Sequence, residues 1–234
     1  MKILGIETAT QICSAAIIED DKLLADYRLN IKNVHAKGLF RIIEHLCNMT
    51  DTAINELDGI AVSIGPGSFT GLRIGLATVK GLVISSNVPV TSVSTLQGLA
   101  FQAPISHGII CPLLKSRNRE YYAALYERKD GEDHLIKKVT VIIYDELLSF
   151  IPPGSLLIGH TDDFSDINFS DKKITSAPDH FSVPGAFNIA YLGLQQIRQN
   201  NIDDIDTLEP LYYQEFIAGN PKKKFFVNKN ESTG

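Results

Sequence analysis

The strongest constraint on this chain is the run from Ser63 to Gly75, Ser-Ile-Gly-Pro-Gly-Ser-Phe-Thr-Gly-Leu-Arg-Ile-Gly, which leads out of an apolar segment into a helix-forming one. Gly65 and Gly67 can take positive φ or admit a second backbone at close range, and Pro66 fixes its own φ. Ser68 or Thr70 is placed to cap the helix that follows. Such a turn leaves N–H groups at a helix N-terminus, a geometry that suits an anion or phosphate. The named phosphate and nucleophile motifs do not fit. Gly71 is followed by Leu72 and Arg73 where a Walker A loop needs Lys and Ser or Thr. Ser68 is flanked two residues away by Pro66 and Thr70, not by the glycines of a nucleophile elbow. Thr70 stands where a dinucleotide fingerprint needs its third glycine. By itself the pattern reads equally as a structural turn or as a ligand loop built on Gly65, Gly67 and Ser68.

Around this turn the chain alternates strand and helix patterns. Residues 2–8, 12–19 and 22–30 read as three strands separated by short polar turns, followed by a helix over 34–49. A strand over 59–64, a helix over 69–85, a strand over 88–93 and a helix over 95–102 complete the order βββαβαβα. A meander feeding parallel crossovers predicts an α/β sheet with helices packed on it. From about 107 a second meander begins, with strands at 109–114, 120–126 and 135–143 and a hairpin turn at Asp130-Gly131. A short helix at 144–150, a strand at 156–158 and a helix at 184–199 follow. The second half therefore reads as a degenerate copy of the first, although no sequence repeat supports it. The lobes divide as 1–103 and 104–221, with a polar tail at 222–234. The division has Pro104 and Gly108 but no linker, so the lobes are expected to pack closely.

A chain of 234 residues with 44% hydrophobic content is long enough for a packed core. No apolar run approaches the ~18 residues of a membrane span, and the N-terminus has no cleavage-site pattern, which leads to the expectation of a cytoplasmic protein. Cys13, Cys47 and Cys111 are widely spaced and read as buried thiols. The net charge of −5 argues against direct binding of nucleic acid. The one basic run, Lys222-Lys223-Lys224, lies in the polar tail.

The first helix carries Leu39, Ile42, Ile43 and Leu46 at i, i+3, i+4 and i+7, a full core-facing stripe, and Phe40, Cys47 and Met49 widen its apolar arc. The second helix holds Gly71, Gly75 and Gly81, each costing about 1 kcal/mol relative to Ala. Gly71 and Gly75, one turn apart with Thr78 nearby, form a shallow groove that can take a neighbouring backbone. That groove receives either the chain's own sheet or first helix, or another subunit.

The larger pattern resembles one family. Met1-Lys2-Ile3-Leu4-Gly5-Ile6-Glu7-Thr8-Ala9-Thr10, His35 at the start of the first helix, the Gly65–Gly75 block running on into Ala77-Thr78-Val79-Lys80-Gly81-Leu82, and Val90-Thr91-Ser92-Val93-Ser94-Thr95-Leu96 are similar to the bacterial TsaB (YeaZ) family. The likeness is specific over residues 1 to about 103 and weaker beyond. It implies the actin-like ATPase (ASKHA, RNase H-like) fold with two similar lobes. It implies a non-catalytic subunit of the machinery that makes N6-threonylcarbamoyladenosine at position 37 of tRNAs reading ANN codons. The implied partners are a TsaD-type catalytic subunit and a TsaE-type ATPase, with a homodimer when alone and tRNA reached only indirectly. No intrinsic cofactor is implied, and ATP or ADP with Mg belongs to the complex. The implied partner or dimer face uses the first two helices, through His35, Leu39, Phe40, Ile42, Ile43, Leu46, Thr70, Gly71, Arg73, Ile74, Gly75 and Thr78.

In actin-like ATPases the first strand ends in an acidic residue that holds a metal-nucleotide complex. Here that position is Glu7-Thr8, and Glu7 serves either that role or a cap on the adjacent turn. The catalytic relative carries two histidines four apart on a helix as metal ligands. His35 and His45 are ten apart, roughly 15 Å along a helix axis and on different faces, so they cannot share one ion. No local motif supports a peptidase triad. Lys115 reverses the charge of the family's usual Asp in an Asp-Ala-Arg-like stretch, with Arg117 and Glu120 alignable. The ending Glu209-Pro210-Leu211-Tyr212-Tyr213 lacks the usual arginine. The competing expectation is a small actin-like ATPase that binds nucleotide unaided through Glu7, Thr8 and the Gly65–Ser68 loop, or a homodimeric protein of unrelated role.

Overall fold

The computed structural model describes residues 1–31, 35–164 and 167–213; for residues 35–37 and 163 it describes the backbone alone. The polar tail and its three lysines lie outside the described residues. The first lobe opens with the meander β1 (Lys2–Glu7), β2 (Cys13–Glu19) and β3 (Lys22–Leu29). Then come α1 (His35–Met49), β4 (Gly59–Ser63), α2 (Phe69–Ser86), β5 (Val90–Val93) and α3 (Thr95–Phe101). The second lobe has β6 (Gly108–Arg117), β7 (Glu120–Lys129), β8 (Glu132–Ile143), the one-turn α4 (Leu147–Phe150), β9 (Leu156–Gly159), β10 (Thr175–Ser176) and α5 (Ala186–Arg198).

Each lobe is built on a five-stranded sheet of the same order, β3-β2-β1-β4-β5 and β8-β7-β6-β9-β10. In each, the first strand pairs antiparallel with the second and parallel with the fourth. The second lobe therefore repeats the first in topology, in keeping with the duplicated α/β architecture expected of an actin-like fold. It is the poorer copy. Where the first lobe has the 18-residue α2 between its fourth and fifth strands, the described residues between β9 and β10 make only short 3-10 turns.

Strands β1, β2 and β4 are almost wholly buried because helices cover both faces of the first sheet. On one face Leu4, Ile6, Ile17, Ile60 and Val62 pack against Leu39, Ile42, Ile43 and Leu46 of α1 and Leu76 and Val79 of α2. On the other, Ile3, Ile18 and Ala61 meet Ile189, Ala190 and Leu194 of α5. The lobes also exchange their closing helices: α5, the last helix among the described residues, packs on β1, β2, β4 and β5, whereas α3 packs on β6 to β9. Two cores thus depend on each other, and the chain crosses between the lobes near 104 and again between β10 and α5.

Arg128 on β7 fixes this crossing. Its guanidinium donates to the carbonyls of Ala100, Phe101, Ala103 and Ile105 at 2.7–3.0 Å, where α3 ends, and to both carboxylate oxygens of Asp133 at 2.7 and 2.8 Å. One buried cation thus gathers the carbonyls of the chain as it leaves α3, among them those of Ala100 and Ala103, which also accept backbone N–H groups.

Most expected elements are present within two or three residues of their predicted ends. The strand expected over 88–93 begins at Val90, since Pro89 has no N–H to give a ladder, although its carbonyl accepts from Ile60. The hairpin turn falls at Asp130 and Gly131, both with positive φ, and its strands run right up to it.

Candidate functional site

The Ser63–Ser68 turn sits at the C-terminal end of β4. Gly65 has φ 116° and a cis peptide to Pro66. Ser68 caps α2, its Oγ accepting from the Gly71 N–H at 3.2 Å, while its own N–H donates to the Ala9 carbonyl at 2.6 Å. The turn after β1 and the start of α2 are thereby tied together, and they form one wall of a cleft of about 430 Å³ between the lobes. Thr10, Gln11, Gly67 and Ser68 face it from the first lobe, and Lys115, Arg117, Tyr122 and His160 from the second.

Actin-like folds place a metal-nucleotide complex in such a cleft, and the residues here do not fit one. Glu7 and Thr8 are fully buried and do not line it. The Glu7 carboxylate turns inward, where Oε1 accepts the Ala9 N–H, so of its two expected roles the cap on the adjacent turn is the one realised. Its Oε2 and the hydroxyls of Thr8, Ser14 and Ser63 are buried with no hydrogen-bond partner among the described residues. Burial pushes the Glu7 carboxyl up to about 7, against the lowering pull of the Ala9 N–H and the neighbouring Ser63 hydroxyl. The cleft lining contains no carboxylate, and among the described residues no group of three or more His, Cys, Asp or Glu could hold a metal. Gly65 is buried against Leu211; of the expected loop, Gly67 and Ser68 alone reach the cleft.

The expected partner face divides in two. Leu39, Ile42, Ile43 and Leu46 are 1–3% exposed and belong to the chain's own core, so they do not offer a contact surface. Their heptad-like stripe is used up by the sheet. Gly71 and Gly75 are also buried: a Cβ on Gly71 would strike the Thr8 carbonyl, and one on Gly75 the Thr8 hydroxyl. The groove they form receives the end of the chain's own β1, which corrects the expectation that it admits a partner. What remains outward is Phe40 at 59% exposure on α1, and on α2 the exposed Thr70 and Arg73 with half-buried Ile74 and Thr78. Of His35 the structure describes the backbone alone, at the start of α1.

Residues of these two helices outside the expected set complete this face. Ala77, Gly81 and Ile84 continue the outward row of α2 at helical spacing from Ile74, and Ile84 is 84% exposed. Among the described residues, nothing beyond its own turns of helix backbone lies within 4 Å of where a Cβ on Gly81 would stand. Met49, at 70%, adds to the exposed apolar surface at the end of α1. Small residues at the centre of an outward row, with large apolar ones around them, let a second helix approach closely. The contrast between the glycines is measurable. Gly71→Ala is expected to destabilise the chain by about 1–3 kcal/mol through overpacking on Thr8, while Gly81→Ala stabilises it by up to about 1 kcal/mol through helix propensity; urea unfolding of the two variants checks both signs.

The cysteines are free thiols, Cys13 and Cys111 buried and Cys47 half-buried. Burial raises all three, Cys13 to about 11 with a further contribution from Glu7. His45 makes an edge contact with Tyr27, with centroids 5.5 Å apart. No helix among the described residues is long and apolar enough to cross a membrane.

A family model for TsaD, the tRNA N6-adenosine threonylcarbamoyltransferase, matches residues 22–206. The tRNA threonylcarbamoyladenosine biosynthesis protein TsaB of Bacillus subtilis (strain 168) is 29% identical over 220 residues, which is 91% of this chain and 93% of that protein. The chain belongs to the TsaD-like domain family, on its TsaB (YeaZ) branch. The Escherichia coli (strain K12) TsaB is 32% identical over 133 residues, 56% of this chain and 57% of that protein. A threonylcarbamoyltransferase of Rhizobium leguminosarum is 30% identical over 134 residues, 49% of this chain but 37% of that longer protein. Among solved structures, a Pseudomonas aeruginosa protein described as similar to the peptidase YeaZ superposes with TM-score 0.79 at 22% identity, over 91% of this chain and 99% of that one. The ROK hexokinase of Thermus thermophilus superposes with TM-score 0.50 at 10% identity, over 85% and 100%. These likenesses give the TsaB-family chain the fold of the actin-like ATPases.

Proposed function

We propose that this chain is a non-catalytic subunit of tRNA threonylcarbamoyladenosine biosynthesis, and that it acts by binding and stabilising a TsaD-type catalytic subunit through the outward face of α1 and α2. The observation that carries this is the exposed row Ala77, Gly81 and Ile84 on α2, extended by half-buried Ile74 and with an open glycine at its centre, together with the exposed Phe40 and Met49 of the adjoining α1. The relatives named for this pathway supply the rest. A transferase that shares the domain family carries a related stretch, so the two chains can pair helix to helix, as two copies of this chain can when alone.

Other features support the non-catalytic part of this reading. The first-strand carboxylate is turned away from the cleft, which also removes the main ligand of a stand-alone ATPase. The Ser106 hydroxyl and His107 Nδ1 lie 3.1 Å apart, but these neighbours sit on the exposed crossing between lobes, outside the cleft lining. A net charge of −5 suits a subunit that meets tRNA through its partner. ATP or ADP with Mg and a TsaE-type ATPase enter with the assembled complex, in the cytoplasm. Cells lacking this chain are expected to lose most N6-threonylcarbamoyladenosine from tRNA, measured by mass spectrometry of nucleosides. The wild-type gene restores it and Gly81→Arg does not. Undiminished modification in its absence would refute the proposal.

A further inference from the structure

After α5 the chain doubles back over the first lobe as a strap, residues 203–213. Asp203 first pairs with the edge strand β5, its N–H donating to Val90 O at 2.9 Å and its carboxylate accepting from Ser92 N at 2.6 Å. Ile205 and Leu208 then turn inward onto the core beside α1 and α2. Lys80 reaches the Asp206 carbonyl at 3.4 Å, and the Leu211 N–H donates to Ile64 O at 2.8 Å. The strap thus runs along α2 from Lys80 back to its first turn. There the Tyr212 hydroxyl accepts from Arg73 Nε at 3.0 Å, its ring packs on Phe69 with centroids 5.0 Å apart, and the Arg73 guanidinium lies 3.9 Å over the Phe69 ring.

A strap needed solely to seal the β5 edge would keep its large side chains turned in, as Ile205 and Leu208 are. From Leu211 onward they turn out: Leu211, Tyr212 and Tyr213 are 45%, 44% and 37% exposed in succession. They are nevertheless held in place, by the Arg73 contacts and by Tyr213 lying 6.3 Å from Tyr122 of the second lobe. Aromatic rings and an arginine, partly exposed yet already ordered, are the composition and the preorganisation of a binding anchor. They adjoin the outward row of α2, since Arg73 lies one helical turn before Ala77 and next to Ile74.

We infer that the strap is the second wall of the assembly face, and that Leu211 and Tyr212, set on Arg73 and Phe69, contact the same TsaD-type subunit that the outward row of α2 receives. This rests on the function proposed above. It assigns to that partner an apolar helix face long enough to reach from Ile84 to the first turn of α2, flanked by a surface that takes an aromatic ring.

The test is the dissociation constant of the full-length chain for the TsaD-type protein of the same organism, measured by interferometry for wild type, Gly81→Arg, Tyr212→Ala and Tyr212→Phe, with thermal unfolding as a check on folding. The expected result is loss of binding in Gly81→Arg, at least tenfold weaker binding in Tyr212→Ala at unchanged unfolding temperature, and near wild-type binding in Tyr212→Phe, which keeps the ring. If Gly81→Arg abolishes binding while Tyr212→Ala stays within twofold, the strap inference is overturned and the functional reading stands. If Gly81→Arg binds like wild type, the face is elsewhere and both fall. If Tyr212→Ala weakens self-association of this chain but not the mixed complex, the strap serves a second copy and the assignment to the catalytic subunit is wrong.

Discussion

Arg128→Met is expected to lower the unfolding free energy by about 3–5 kcal/mol. The guanidinium is buried, makes six hydrogen bonds, and faces Asp133, whose side chain is 6% exposed. Removing it takes the shared cation from the Asp133 carboxylate and from the carbonyls at and just beyond the end of α3, and the penalty is mainly that of a buried carboxylate left without its counter-charge. The loss reaches further than one helix end, because α3 is the first-lobe helix that packs on the second sheet. Urea unfolding at neutral pH reads the effect. Arg28→Met is the control: Arg28 pairs with Asp26 at 2.9 Å, but its side chain is 43% exposed, so a change within about 1 kcal/mol is expected. A loss below about 1 kcal/mol for Arg128→Met would show that the crossing between lobes does not depend on this cap.

The second large effect concerns Glu7 and has a defined pH window. Its folded carboxyl stands at about 7 against 4.5 in the unfolded chain, so the folded state holds the proton more tightly. The stability this contributes is fully present below about pH 4.5 and is lost as pH rises to about 7, where the carboxylate must exist buried with Oε2 unpartnered. A difference of that size corresponds to about 3 kcal/mol. Glu7→Gln keeps an acceptor for the Ala9 N–H and supplies a donor toward the orphaned Ser14 and Ser63 hydroxyls. The variant is expected to match wild type near pH 4.5, to exceed it by about 1–3 kcal/mol at pH 8, and to show a flatter pH profile between. A variant less stable than wild type at pH 8 would mean that the charged carboxylate has a partner the fold depends on.

The periodic parts of this fold were legible in the sequence because local patterns determine them. The i, i+3, i+4, i+7 stripe on α1 marked Leu39, Ile42, Ile43 and Leu46 as core, and they are core; their placement on a partner face as well was the error, since one stripe cannot serve two surfaces. Gly71 and Gly75 were legible as a close-approach site, but spacing along one helix says nothing about which backbone approaches, and it is Thr8, more than sixty residues earlier. The second helix was expected to carry the face, but within it Ala77, Gly81 and Ile84 were not among the residues assigned to it. Arg128 and the strap left no local signal. Arg128 gathers carbonyls from residues 23 to 28 positions away, and Arg73 meets Tyr212 across 139 positions. The exchange of α3 and α5 was hidden for the same reason: each is an ordinary amphipathic helix, and its sequence does not say which sheet it covers.

The central claim is that the outward face of α1 and α2 joins this chain to a TsaD-type subunit. Size-exclusion chromatography with light scattering, run on this chain, on the TsaD-type protein of the same organism and on their mixture, tests it most directly. The account predicts a new species with the summed mass of both chains, absent when Gly81→Arg replaces the wild type although that variant alone remains folded. A mixture that elutes as its separate components, or a Gly81→Arg chain that assembles as well as wild type, would contradict it.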